Sequence, residues 1–414
     1  MEMEGRPRKF ESQKKLGQVI MAHWEKSRQA KSSGRLAWVS PLVPMDILNA
    51  MGFVCSCSVN HSAVCSMAGV STELIQISES HGYGSVSELC GYAQTDLGSF
   101  LSGEETKSPI KPPKPDLLVA TTQCHMIAKW FETLGRLIDA PVVILDLPVI
   151  RTGDEETVDS AKRYAKGQLR EFVTFLEELT KQKLDYTRLQ ECVRLSGQQF
   201  KLLGDISRMG VHVPSPVSAF DICFNLAPIL TLRGTPEGVS YFEELKEEVS
   251  ERVAQKIGAF PFEKYRLYFY VVPPWFALTK VFKSFIPYGA CPVAAFYPLA
   301  YDWEDLDPSN PLDTQVDVLY KSSLTQGLEQ RIDMLAGLVQ EYHIDGIVYG
   351  KLGSCKLGPG EVDYLETAAN RAGVPLMTFE TDMADARLHS ETEFNSRLQT
   401  FVELLESSKQ TASS

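Results

Sequence analysis

The stretch Pro115–Leu147, PDLLVATTQCHMIAKWFETLGRLIDAPVVILDL, decides the fold class. It opens at Asp116 with Leu117-Leu-Val-Ala120, a short apolar run of the kind that forms a buried parallel strand. The polar turn Thr121-Thr-Gln123 follows, and then Cys124. From Cys124 the apolar period lengthens to three and four residues (Ile127, Trp130, Phe131, Leu134, Leu137, Ile138), which is one face of a helix. Ala140-Pro141 stops that helix, and Val142–Leu145 reads as the next strand. Cys124 therefore lies where a strand ends and a helix begins. In open α/β sheets, ligands bind at this edge. The free N–H groups of a helix start also favour a thiolate or an anionic cluster. A lone cysteine is more often a buried structural thiol, and this stretch by itself favours that reading.

The length of 414 residues suggests two or three domains. Hydrophobic content of 44% and charged content of 23% are those of an ordinary globular chain. The net charge of −12 argues against a nucleic acid or an anionic membrane as partner. The first residues, MEMEGRPRKFESQKK, contain no apolar targeting region, and no run is long enough to span a bilayer, so the expected location is the cytoplasm. There the nine cysteines, at 55, 57, 65, 90, 124, 192, 223, 291 and 355, read as thiols or metal ligands rather than disulfides. No CxxC pair occurs, which leaves a zinc ribbon or a ferredoxin-type loop without support.

Taken in order, the chain divides into an N-terminal arm (1–35), a first α/β domain (36–150), a helical segment (151–235) and a second α/β domain (236–414). Leu36–Val39 and Phe53–Val59 are strand candidates in the first domain. Cys55 and Cys57, two apart on the second of these, share a face. With His61 and Cys65 they make either half a metal site or apolar filler, and filler is the favoured reading. Ser85 and Glu88 have capping-box spacing, which predicts a helix to Phe100 with Cys90 in its second turn. Val158–Leu179, Asp185–Met209 and Phe220–Leu232 read as helices, with Cys192 and Cys223 as core thiols. Strands resume at Tyr265–Val272, Ala294–Tyr297, Asp345–Tyr349 and Val374–Glu380. Cys355 repeats the placement of Cys124: a strand, then a loop with Gly350, Gly353, Gly358 and Gly360, then a helix over Glu361–Ala372. A phosphate loop is the rival reading of those glycines, but neither GxxxxGK[ST] nor GxGxxG is present.

Single cysteines in separate α/β loops can converge on one site, and three thiolates leave one iron of a four-iron cluster open. Three stretches carry a specific resemblance: Ser87-Glu-Leu-Cys90-Gly-Tyr-Ala-Gln-Thr-Asp96-Leu-Gly98; Asp116-Leu-Leu-Val-Ala-Thr-Thr-Gln-Cys124 with Lys129-Trp-Phe-Glu132; and Asp345-Gly-Ile-Val-Tyr349 with Ser354-Cys-Lys356, Gly373-Val-Pro375 and Glu380-x-Asp382-x-x-Asp385-x-Arg387. Their ordered set resembles the cysteine motifs of the 2-hydroxyacyl-CoA dehydratase and benzoyl-CoA reductase family, over nearly the whole chain. The resemblance implies two flavodoxin-like α/β domains with parallel sheets and a helical segment between them. It implies one [4Fe-4S] cluster held by Cys90, Cys124 and Cys355, a related second subunit, and an ATP-dependent iron–sulfur activator that delivers one electron. The substrate it implies is an acyl-CoA thioester, which is dehydrated through a ketyl radical or reduced in its ring. Val272 stands before Pro273 where the family pattern has glycine, and Cys55, Cys57 and Cys65 match nothing in it. No proton-transfer residue can be carried over, and His125, next to Cys124, reads equally as an acid or as a hydrogen-bond donor to a ligand.

Other readings of the same residues are a double-cubane reductase of small molecules, a non-catalytic electron-relay partner subunit, and a metal-free α/β binding protein. Without a P-loop the chain is not expected to hydrolyse ATP itself.

Overall fold

The computed structural model describes residues 10–85, 88–103, 108–150, 154–299, 304–322, 325–356 and 361–412. Its strands form two separate four-stranded sheets. The first comprises β1 (Leu36–Val39), β2 (Val54–Cys57), β3 (Leu117–Thr121) and β4 (Val142–Leu145), in the order β2-β1-β3-β4. The second comprises β5 (Tyr265–Tyr270), β6 (Ala290–Ala295), β7 (Gly346–Leu352) and β8 (Leu376–Thr381), in the order β6-β5-β7-β8. Every pairing is parallel. Helices cover both faces, so β1, β3 and β5 are buried along their whole length. This is the expected pair of flavodoxin-like domains.

The strand order explains where a site can form. In each sheet the chain reverses its direction of winding between the first and third strands, β1 and β3 or β5 and β7. The loops leaving such adjacent strands diverge and open a crevice. Cys124 follows β3 and Cys355 follows β7, so the two cysteines occupy equivalent positions in the two sheets.

Helices Glu155–Thr180, Tyr186–Arg208, Ala219–Phe224, Leu226–Thr231 and Pro236–Gln255 lie between the sheets in sequence. Phe220–Leu232, read as one helix, is broken at Asn225, whose backbone caps both pieces. The helix Pro236–Gln255 has no counterpart in the sequence reading, although its start is well marked. Thr235 accepts the amide of Gly238, and proline stands in the first turn. In the N-terminal arm, Glu11–Ser32 is a continuous helix that buries Leu16, Ile20 and Trp24. Strand β6 begins four residues earlier than expected, at Ala290. It includes Pro292, which is tolerated because β6 is an edge strand with a register irregularity at Leu267/Tyr268.

Candidate functional site

Cys124 is the residue before the first turn of helix His125–Ile138, as the sequence predicts. The amides of Met126 and Ile127 favour its thiolate, although burial pushes the thiol up overall. Cys90 differs from expectation. The Ser85–Glu88 hydrogen bond forms, with the Ser85 amide donating to Glu88 Oε2 at 2.9 Å, but it closes only a local turn. The helix starts at Gly91, and Cys90 is the residue just before its first turn, with φ −57° and ψ 135°. Cys90 thus stands at a helix N-terminus like Cys124, not in a second turn. Cys355 follows β7, and the glycine loop's Gly358 and Gly360 lie outside the described residues.

Cys90, Cys124 and Cys355 are half-buried, and the other six of the nine cysteines are buried. Burial raises the Cys90 thiol, and the Cys355 and Cys124 sulfurs raise it further, so both lie within electrostatic reach of Cys90. Among the described residues no group of three or more His, Cys, Asp or Glu is arranged to hold a single metal ion. Cys55, Cys57 and Cys65 are buried in β2 and the following helix Ser58–Met67. Cys192 and Cys223 lie buried in helices, with the Cys192 thiol pushed up to about 12 chiefly by burial. His125 is exposed.

A clasp between the two domains brings Cys90 beside Cys355. The Gly91 amide donates to Ser354 Oγ at 2.9 Å. Ser354 in turn donates its amide (2.9 Å) and its hydroxyl (2.6 Å) to Asp382 Oδ2. Asp382 Oδ1 accepts the amides of Ala384 and Asp385 at 3.0 and 3.1 Å, so this carboxylate is fixed from both ends. A Cβ on residue 91 would sit 2.8 Å from Asp382 Oδ1 and 3.1 Å from Ser354 Oγ, so only glycine allows this approach. The loop after β8 continues the contact: Ser66 Oγ donates to the Met383 carbonyl at 3.0 Å, and Arg387 makes a forked pair with Glu79 at 2.9 and 3.1 Å. The Asp382/Asp385/Arg387 motif is therefore interdomain structure.

A second polar cluster ties Cys90 to Cys124. Asp96, six residues beyond Cys90, accepts Trp130 Nε1 at 3.2 Å, and Trp130 lies six residues beyond Cys124. The same oxygen accepts Trp38 Nε1 from β1 at 2.9 Å, and the other oxygen meets His61 Nδ1 at 2.8 Å. All four residues are buried. Burial alone would lower the His61 ring, but the neighbouring Cys65 sulfur and Asp96 carboxylate raise it to about 10. Asp96 and Ser354 both stand in motifs singled out from sequence, yet no pattern along the chain marks the partners that give them their roles.

The model of the 2-hydroxyglutaryl-CoA dehydratase D-component family matches residues 42–405. The chain belongs to this family. It is 27% identical to the (R)-2-hydroxyisocaproyl-CoA dehydratase alpha subunit of Clostridioides difficile, over 97% of this chain and 98% of that relative. It is 26% identical to a benzoyl-CoA reductase subunit of Thauera aromatica, over 98% of this chain and 97% of that one. The (R)-phenyllactyl-CoA dehydratase alpha subunit of Clostridium sporogenes is also 26% identical, over 92% of each chain. The chain is thus an enzyme subunit of the dehydratase and benzoyl-CoA reductase type, and the names of its relatives imply a partner subunit. No described helix is long and apolar enough to cross a membrane.

Proposed function

We propose that the chain is the iron–sulfur subunit of a 2-hydroxyacyl-CoA dehydratase or a benzoyl-CoA reductase-like enzyme, with Cys90, Cys124 and Cys355 holding one [4Fe-4S] cluster. The observation that carries this is the contrast among the nine cysteines. Cys90, Cys124 and Cys355 are the three half-buried ones; Cys90 and Cys124 stand at the starts of helices joined through Asp96 and Trp130, and the Gly91–Ser354 hydrogen bond brings Cys355 beside Cys90. The local chemistry fits such a group. Helix N-termini favour thiolates. Gln123 Nε2, buried next to Cys124, has no hydrogen-bond partner among the described residues and offers a donor to a bound group.

When bound, the cluster supplies a single low-potential electron to an acyl-CoA thioester, after an ATP-dependent iron–sulfur activator has delivered it. The chain's own residues do the holding. Cys90 and Cys124 sit on helices pinned together through Asp96 and Trp130. Cys355 is pinned to the first domain through Ser354. A related second subunit completes the enzyme.

The test is turnover under strict anaerobiosis. The chain, its partner subunit, an activator, ATP and a low-potential reductant are incubated with (R)-2-hydroxyacyl-CoA thioesters and with benzoyl-CoA, and the products are read by mass spectrometry. Loss of water from a 2-hydroxyacyl thioester, or gain of two hydrogens by benzoyl-CoA, is expected. Turnover that survives Cys124→Ser would overturn the proposal.

A further inference from the structure

We infer that Ser354 and Asp382 are positioning residues that set the spacing of Cys90 and Cys355 and hold the reduction potential of the bound cluster low. The inference rests on the cluster proposed above and goes on to assign roles to residues that are not ligands.

The Gly91 amide is the N–H that directly follows Cys90, at the start of a helix, where such groups ordinarily donate to a ligand's sulfur or to a bound anion. Here Ser354 Oγ takes it at 2.9 Å, and the Ser354 hydroxyl proton is committed to Asp382 at 2.6 Å. Hydrogen bonds to cluster sulfurs stabilise the reduced, more negative state and raise the potential. A donor withdrawn from the sulfurs has the opposite effect.

Charge acts in the same direction. Asp382 is fully buried and accepts four hydrogen bonds, from the Ser354 amide and hydroxyl and the Ala384 and Asp385 amides. Its Oδ1 would stand 2.8 Å from a Cβ on residue 91, so the carboxylate lies against the backbone that directly follows Cys90. A fixed negative charge beside a cluster opposes the addition of an electron. Both effects originate in the second domain while acting on a ligand of the first. The spacing of Cys90 and Cys355 and the potential therefore depend on the docking of the two domains.

The first experiment is a mediated redox titration of the anaerobically loaded chain with dithionite as electron donor, followed by electron paramagnetic resonance. Relative to wild type, Ser354→Ala and Asp382→Asn should each move the midpoint to a more positive value. Ser354→Thr, which keeps the hydroxyl, should leave it in place. The second experiment uses apoprotein and the thiol cross-linker dibromobimane, with the Cys90–Cys355 product mapped by mass spectrometry. Cross-linking should slow several-fold in Ser354→Ala and recover in Ser354→Thr, whether or not a variant takes up iron. A loaded wild type with unchanged midpoints in both Ser354→Ala and Asp382→Asn, or equal cross-linking in Ser354→Ala, would overturn this inference alone. A wild-type chain that binds no iron would overturn the cluster itself.

Discussion

Replacing Asp96 by alanine should destabilise the chain by about 4 kcal/mol. The carboxylate accepts Trp38 Nε1 at 2.9 Å and Trp130 Nε1 at 3.2 Å, and it pairs with His61 Nδ1 at 2.8 Å, all in a fully buried setting. Alanine leaves two indole donors unsatisfied, each costing roughly 1–3 kcal/mol. It also breaks a buried ion pair, at about 3–5 kcal/mol. These costs share one carboxylate and do not add, so the expected total sits within the ion-pair range. Asp96→Asn keeps an oxygen for the indoles but also removes the charge facing His61, so a smaller loss of about 3 kcal/mol, the low end of the ion-pair range, is expected. Urea unfolding of the apoprotein, followed by tryptophan emission, reads this directly because Trp38 and Trp130 are themselves the donors. A shift of less than about 1 kcal/mol for Asp96→Ala, or equal shifts for the two variants, would refute the reasoning.

Further outcomes follow from single contacts. Gly98→Ala places a Cβ 1.9 Å from the Leu74 carbonyl oxygen, where two helices meet backbone to backbone. It should cost at least about 1–3 kcal/mol and reduce the yield of folded chain, as measured by the same urea assay. The His23 ring is lowered to about 4, first by burial and then by Lys26. The unfolded ring is protonated below about pH 6.5. Stability from the neutral buried ring is therefore full above that pH and should fall by about 3 kcal/mol as pH drops to 4. The urea midpoint of His23→Leu should be flatter across this window than that of wild type. Cys192→Ser and Cys223→Ser should leave anaerobic turnover unchanged, because both thiols are buried in helices and neither belongs to the half-buried trio.

Sequence carried the α/β alternation because buried parallel strands are continuous apolar runs with abrupt ends, as in Leu117–Thr121 and Tyr265–Tyr270. The placement of Cys124 was legible for the same reason: a strand-to-helix change of period leaves little choice of junction. The Cys90 helix start was misplaced because Ser85 and Glu88 satisfy a local capping pattern, while Gly91 begins the helix for a long-range reason, its contact with Ser354 and Asp382. The first four residues of β6 lay outside the expected strand; they include Pro292, which an edge strand tolerates, and edge position is a property of the sheet alone. The roles of Asp96 and Ser354 were hidden for a similar reason. Each depends on partners 28 to 263 residues away that no local spacing predicts.

The cluster is tested most directly by iron and acid-labile sulfide analysis of the chain purified without oxygen. About four of each per chain are expected, lost in Cys90→Ser, Cys124→Ser and Cys355→Ser alike. A folded wild-type chain free of iron and sulfide, or a full complement retained in any one of those three variants, would contradict it.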